Sequence, residues 1–351
     1  MRLSIIGSPA CGKTTLFKAM SGIAADSGPS RSNVAIVDVP DERVDRLSAV
    51  FHPKKTVYGR IELCDIDSIR EGDMKNEAIP AKQLQQMRLS DAFLVVLKNF
   101  DDALPAKPAA EFHGLLAEFI LDDMVQIENR LDRIKKQSGR KDGTVLEQEK
   151  AMLSHCLAHL DKGLPLSTLV LPQSDAKALR GFQFLSQKPL MAVVNCSEDM
   201  MSRAEVISAD IRLALSDAAP VVAACARLEA EFVMMAPEDR AAFMEEYGLA
   251  ESLRGRLIRL AYETLGLISF LTVGEDECRA WPIRRSMTAQ EAAAAIHTDL
   301  SEKFIRAETV AYTDFIRYGD FPACKKAGVW RLEGKQYVVQ DGDIILIRAG
   351  N

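Results

Sequence analysis

Gly7, Gly12, Lys13 and Thr14 stand within the run Gly7-Ser8-Pro9-Ala10-Cys11-Gly12-Lys13-Thr14-Thr15. A glycine, four residues and then Gly-Lys-Thr is the spacing of a loop that wraps phosphate. The glycines let the backbone curl until several N–H groups converge on an anion, and a helix beginning at the lysine aims its positive end at the same point. In such a loop the lysine reaches the β- and γ-phosphates and the threonine hydroxyl ligates Mg²⁺. The expected ligand is therefore ATP or GTP with Mg²⁺, cradled by Gly7, Pro9, Ala10, Cys11, Gly12, Lys13, Thr14 and Thr15. A glycine-rich turn without a ligand is the plain alternative.

Such a site needs an acid at the end of a neighbouring strand to hold Mg²⁺ through water. Asp65 follows the alternating Ile61 and Leu63, which places its carboxylate at the strand's carboxyl edge, where open α/β sheets bind ligands. A solvated strand-end acid is the alternative reading. Base recognition falls to a later loop, Asn195-Cys196-Ser197-Glu198. A guanine site would read Asn-Lys-x-Asp; here the lysine is absent and the acid is one methylene longer. The Asn195 amide can accept from the adenine N6 amino group and donate to N7, which makes adenine compatible, although Asn is also an ordinary turn residue after a strand.

The elements that must position these residues alternate. Strands are expected at 2–6, 34–39, 57–65 and 92–98, with helices at 13–21, 41–50 and 80–89, the rhythm of a parallel α/β sheet. Leu3, Ile5 and Ile6 make the first strand apolar, and Leu16, Phe17 and Met20 turn inward on the first helix. Residues 22–33 are rich in turn formers and read as a mobile loop beside the nucleotide. From about 110 the period changes: Leu116, Ile120, Met124, Ile127, Leu131 and Ile134 mark a long amphipathic helix, and Leu146, Leu153, Leu157 and Leu160 mark its return, with Gly139 and Gly143 at the tip. Sheet character resumes at 188–195 and 219–224, a helical stretch spans 237–265, and a small α+β segment closes the chain. In that segment Asp341-Gly342 reads as a hairpin turn between 337–339 and 344–348.

With 48% hydrophobic and 27% charged residues, the composition is that of an ordinary soluble protein and gives no hint of disorder. No run approaches the roughly 18 apolar residues of a membrane span, and the first residues enter a strand without the parts of a leader, so a cytoplasmic protein without a membrane partner is expected. Seven scattered cysteines with no C-x-x-C pair point to buried thiols rather than disulfides or zinc. A net charge of −6 argues against wholesale electrostatic binding of nucleic acid, and no DNA partner is expected, but it allows a local basic patch.

Several of these stretches resemble the Obg-like ATPase family of the YchF type: Gly7–Thr14, the strand ending at Asp65, Asn195–Glu198, and Cys225-Ala226-Arg227-Leu228-Glu229. The most specific match is terminal, in Arg279-Ala-Trp281, Ala292-x-x-Ala295-Ile296-His297-Thr298-Asp299, Phe304–Glu308, Arg331–Lys335 and Tyr337–Asp343, which read like that family's TGS domain. Ile127–Leu131 is similar to the start of its coiled-coil insertion. The resemblance covers nearly the whole chain. It implies a Ras-like P-loop NTPase sheet domain over 1–108 and 188–266, a helical coiled-coil insertion over 109–187 and an α+β, ubiquitin-like TGS domain over 267–351. It also implies ATP preferred over GTP, slow hydrolysis, association with the large ribosomal subunit and its RNA, Asn195 as the adenine reader, and support of the base by Cys225 and the Ala226 backbone.

The chain departs from that pattern after Asp65. Where the family reads Asp-x-Ala-Gly-Leu, this chain reads Asp65-Ile66-Asp67-Ser68-Ile69, so Ser68 replaces the glycine whose N–H meets the γ-phosphate. Asp67 adds a carboxylate, repelling a polyanion by roughly 1–4 kcal/mol at surface-like dielectric. No threonine lies between Thr15 and Thr56, leaving Ser30 or Ser32 as the second Mg²⁺-facing hydroxyl. Ile69 stands where Ras-like proteins place a water-orienting Gln, and the family likewise has an apolar residue there. Binding with weak or absent hydrolysis is the expectation; a non-hydrolysing binding module and a GTP-specific enzyme are its rivals. Arg130, Arg133, Lys135, Lys136, Arg140 and Lys141 against Asp132 form a basic tip suited to RNA phosphates, or simply a solvated helix end. His297 is expected to cap or pack and Trp281 to anchor the small domain's core.

Overall fold

The structure is a computed structural model and describes residues 1–22, 34–70, 72–74, 76, 78–100, 107–137, 143–236, 239–240, 244 and 252–350. Its elements run β1 (Arg2–Ile6), α1 (Lys13–Ser21), β2 (Val34–Val39), α2 (Glu42–Phe51), β3 (Lys55–Val57), β4 (Gly59–Asp65), α3 (Ala81–Arg88), β5 (Ala92–Asn99), α4 (Pro108–Gln137), α5 (Gly143–Leu160), α6 (Gln173–Leu179) and β6 (Leu190–Cys196). There follow α7 (Ala204–Ala214), β7 (Val221–Ala224), α8 (Ala226–Met234), α9 (Leu253–Thr264), β8 (Leu267–Thr272), β9 (Glu277–Arg284), α10 (Ala289–Ile296), α11 (Thr298–Glu302), β10 (Phe304–Ala311), α12 (Tyr312–Tyr318), α13 (Phe321–Lys326), β11 (Arg331–Glu333) and β12 (Asp343–Ala349). By its contacts the chain divides into two compact units, residues 1–35 with 62–254 and residues 36–61 with 255–351.

The first sheet has the order β2-β4-β1-β5-β6-β7, and β1 pairs in parallel with β4 and β5, β5 with β6, and β6 with β7. Interior parallel strands are covered on both faces, which is why β1 and β5 are near-continuous apolar runs and Leu3, Ile5, Ile6, Phe93, Leu94 and Val96 are wholly buried. Because the strands are parallel, the ends of β1, β4, β6 and β7 emerge along one edge, the edge that carries ligands in open α/β sheets.

α4 serves two cores. Phe112, Leu115 and Phe119 of its first half join the core of the sheet, with the Phe119 ring 5.0 Å from that of Phe93. Ile120, Ile127 and Ile134 then recur every two turns and pack with Leu153, Cys156 and Leu160 of α5, as the heptad-like spacing requires. The buried Asp123 carboxylate accepts the Leu185 and Ser186 N–H groups at 2.8 Å each, fastening the chain to α4 before it re-enters the sheet. Burial pushes that carboxyl up to about 6 against the lowering effect of those bonds. The tip at 138–142 lies outside the described residues.

In the second unit the sheet order is β11-β10-β12-β8-β9-β3. Here the structure differs from the sequence reading in two places. The strand expected over 57–65 is broken at Tyr58: β3 pairs in parallel with β9, and Val44 and Leu47 of α2 share a core with Leu271, Cys278, Ala280 and Phe315. Residues 36–61 therefore group by contact with the C-terminal segment rather than with residues 1–35 and 62–254. Nor is Asp341-Gly342 the tip of a hairpin. Gly342 makes a turn at φ 83°, but 337–339 forms only an isolated bridge, Val338 with Thr288, while β12 pairs with β10 and β8. The apolar Tyr337-Val338-Val339 run instead sends Val339 into the core beside Phe270 and Ala292. His297 caps α11 through Nδ1, and Trp281 packs on that core with its Nε1 donating to Thr272.

Candidate functional site

The phosphate loop leaves β1 at Ile6 and enters α1 at Lys13. Two glycines shape it for steric reasons. A Cβ on Gly7 would lie 2.6 Å from the Val96 carbonyl oxygen, and one on Gly12, where φ is 97°, would run into the Asn195 amide. Pro9 and Ala10 are exposed at the crest, Ala10 with φ 58°, and Cys11 is buried beneath them. No side chain caps α1 and no acid lies in its first turn, so its positive end faces the loop without an internal counter-charge. The Lys13 side chain, 7% exposed, donates to the Gly7 and Ser8 carbonyl oxygens at 3.3 Å each and to Ser68 Oγ at 2.7 Å.

Beside it, Thr14 Oγ1 donates to Asp65 Oδ2 at 2.9 Å. Asp65 Oδ1 is buried without a hydrogen-bond partner. Burial raises the Asp65 carboxyl above its usual range, Asp67 adds to this, and the Thr14 hydroxyl and Lys13 oppose it. A hydroxyl and a carboxylate with an orphaned oxygen form the hard donor set that Mg²⁺ takes, and a divalent charge would offset the burial cost of the carboxylate. The residues present thus fit the metal.

Asn195, 6% exposed at the end of β6, joins the loop to the opposite side of the site. Its Nδ2 donates to the Cys11 carbonyl at 2.9 Å and its Oδ1 accepts from the Ala226 N–H at 3.0 Å. An amide has two hydrogens and two lone-pair sites, so one of each is used structurally and one of each is left. Cys225, buried, precedes α8, and Glu198 is exposed just after β6, whereas Thr15 is exposed in the first turn of α1.

Two carboxylates on α4 belong to the same neighbourhood and were not anticipated. Glu111 accepts from Ser8 Oγ and, at 3.1 Å, from the Lys98 N–H. Glu118, 4% exposed, accepts the Gly72 and Met74 N–H groups at 2.6 and 2.8 Å. They lie seven residues apart on the face that also carries Phe112, Leu115 and Phe119. An acid within an apolar helical stripe was the one available signal.

Asp67 is exposed, while its carbonyl accepts from Gln83 Nε2 at 3.0 Å, and Ile69 is buried with its N–H on the Gly7 carbonyl at 3.2 Å. Ser30, Ser32 and nearly all of the 22–33 loop fall outside the described residues, as do Arg140 and Lys141. Of the remaining basic-tip cations, Arg130 is bidentate with Glu149 at 2.6 and 2.8 Å and Lys135 bonds Asp132 at 3.1 Å, while Arg133 and Lys136 are exposed. All seven cysteines are buried thiols, and no helix among the described residues is long and apolar enough to cross a membrane.

A parallel sheet whose central strand feeds a glycine-turned loop around a buried lysine, with a threonine–aspartate pair alongside, defines the P-loop class of α/β proteins. The family model described as YchF-GTPase_C, Protein of unknown function (DUF933), matches residues 267–350. Over 98% of this chain and 98% of the relative, the sequence is 36% identical to the ribosome-binding ATPase YchF of Bacillus subtilis. It is 34% identical to proteins of the same name from Haemophilus ducreyi, over 99% of this chain and 98% of the relative, and from Escherichia coli O157:H7, over 98% of each. The chain belongs to the YchF family. Its fold is that of the Schizosaccharomyces pombe YchF GTPase, with TM-score 0.84 at 24% identity over 99% of this chain and 97% of the other. A GTP binding protein from Pyrococcus horikoshii OT3 aligns at TM-score 0.64 and 17% identity over all of both chains.

Proposed function

We propose that this chain is a cytoplasmic ATP-binding protein that associates with the ribosome and turns its nucleotide over slowly or not at all. The observation that carries the reading is the convergence of Lys13 and the Thr14–Asp65 pair on one end of the Gly7–Thr14 loop. In this reading the loop backbone and Lys13 bind the phosphates, Thr14 and Asp65 hold Mg²⁺, and the bound metal neutralises phosphate charge. Asn195, with one donor and one acceptor to spare, suits adenine; the loop that follows lacks the lysine of a guanine site, which makes GTP the weaker ligand. The domain assignment follows the same lines, with a Ras-like nucleotide domain, a coiled-coil arm built on α4 and α5, and a TGS domain over 267–351.

The ribosome as partner, and its large subunit and RNA as the contact, are supported by the printed names of the relatives and by the family resemblance. Slow turnover is supported by the residues around the γ-phosphate position: Ser68 stands for glycine, Asp67 brings like charge, and the buried Ile69 offers no group to orient water. A second reading, a binding module that never hydrolyses, draws on the same three residues.

Calorimetric titration of ATP and GTP with and without Mg²⁺, beside co-sedimentation with ribosomes, tests the proposal. Saturable binding, tighter for ATP and strengthened by Mg²⁺, with nucleotide-dependent pelleting, is expected. Absence of saturation by either triphosphate at millimolar concentration would sink it, and single-turnover measurement separates slow hydrolysis from none.

A further inference from the structure

The Lys13 ammonium has three hydrogens and three protein acceptors, and they differ in kind. Two are carbonyls of the loop itself, at 3.3 Å each; the third and shortest is the Ser68 hydroxyl, at 2.7 Å, from the segment after β4. A serine oxygen that accepts from an ammonium keeps its own hydrogen for another acceptor, and the lysine of such a loop is the group that meets the β- and γ-phosphates. The backbone on either side of Ser68 is pinned. The Asp67 carbonyl is held by Gln83 Nε2 at 3.0 Å, and the Ile69 N–H is held by the Gly7 carbonyl at 3.2 Å. Gln83 and Ile69 are both buried, so the hydroxyl is stationed by the fold rather than by its own rotamer alone.

We propose that Ser68 is a direct ligand of the terminal phosphate, donating its hydroxyl hydrogen there, and that it sets this chain's preference for a nucleoside triphosphate over a diphosphate. On this account the serine adds a side-chain donor beside the backbone N–H that serine and glycine share. The inference rests on the nucleotide site proposed above.

A purely structural role for the hydroxyl, steadying Lys13, changes triphosphate and diphosphate affinity together. A terminal-phosphate ligand changes their ratio. The test is calorimetric titration of the full chain, in Mg²⁺, with ADP and with the imido analogue of ATP, for the unmodified protein and for Ser68→Ala, Ser68→Cys and Ser68→Thr. The alanine and cysteine variants are expected to lower the triphosphate-to-diphosphate affinity ratio about tenfold, the worth of one hydrogen bond to a charged group, while threonine, which keeps a hydroxyl, stays within about twofold. Cysteine preserves volume if alanine compromises folding. A ratio unchanged in both the alanine and cysteine variants, while the unmodified chain binds both nucleotides, overturns the proposal alone. No binding of either nucleotide by the unmodified chain overturns the site reading and this proposal with it.

Discussion

Asn195 donates from Nδ2 to the Cys11 carbonyl at 2.9 Å across 184 residues of sequence, so the end of β6 buttresses the phosphate loop directly. The same amide accepts from the Ala226 N–H at 3.0 Å, which makes one side chain the tie between the Gly7–Thr14 loop and the start of α8. Replacing it with alanine leaves a buried N–H and a buried carbonyl unpaired. Asn195→Ala should cost about 2–4 kcal/mol in chemical denaturation and weaken both triphosphates, ATP more than GTP because the adenine contacts proposed above are lost with the tie. A variant as stable as the parent would show that the tie carries no energy.

Gly12 and Gly163 both have positive φ, 97° and 72°, but their surroundings differ. A methyl at Gly163 meets nothing within 4 Å, whereas at Gly12 it meets the Asn195 amide. Gly163→Ala should cost only the conformational strain of about 1–2 kcal/mol, and Gly12→Ala that strain plus displacement of Asn195, with nucleotide binding lost only in the latter. Equal thermal shifts for the two would contradict the steric argument.

Glu118 links α4 to the segment after Ser68 through the Gly72 and Met74 N–H groups. Glu118→Ala should raise amide hydrogen exchange at these two positions by about tenfold or more, because each loses a charge-assisted bond. Glu118→Gln keeps one carbonyl acceptor and should fall between. Unchanged exchange in the alanine variant would mean that other contacts hold the segment.

Burial raises the Glu229 carboxyl from 4.5 to about 7, partly offset by the Leu253 N–H it accepts at 3.1 Å. The folded chain therefore holds a proton there that the unfolded chain releases, so this contribution to stability is complete below about pH 4.5 and is lost as the pH rises through about 7. Glu229→Gln, neutral at every pH, should gain on the parent by on the order of 2 kcal/mol between pH 5 and pH 8. Parallel pH profiles of unfolding free energy in the two proteins would refute the assignment.

Asp65 is likewise held above the ordinary carboxylate range by burial, so a proton and Mg²⁺ compete for it. Mg²⁺ enhancement of ATP binding should strengthen as the pH rises through that titration and fall by about tenfold or more in Asp65→Asn, which calorimetry across pH reads directly. Enhancement independent of both pH and residue 65 would place the metal elsewhere.

The phosphate loop, Asp65 and the alternation of strand and helix were legible because each depends on neighbours within a few residues. Glycine spacing, a strand's apolar run and a helix's period are local physics, and β1, α1 and β5 come out within a residue of their expected limits. The strand expected over 57–65 was misread at its start because alternation cannot say which sheet a strand joins; β3 finds its partner in β9, more than two hundred residues away.

The chemistry of the phosphate end was therefore written in residue types and short spacings: which groups can bind an anion and a hard cation, and that a parallel sheet presents them on one edge. Which groups restrain them was settled by packing. The buried Asn195 tie to Cys11 and Ala226, Glu118 on Gly72 and Met74, and Ser68 on Lys13 join residues far apart in the chain, where no periodicity specifies a partner. Such contacts exist only once cores have closed around them, because a polar group taken out of water must find whichever donor or acceptor the fold brings near.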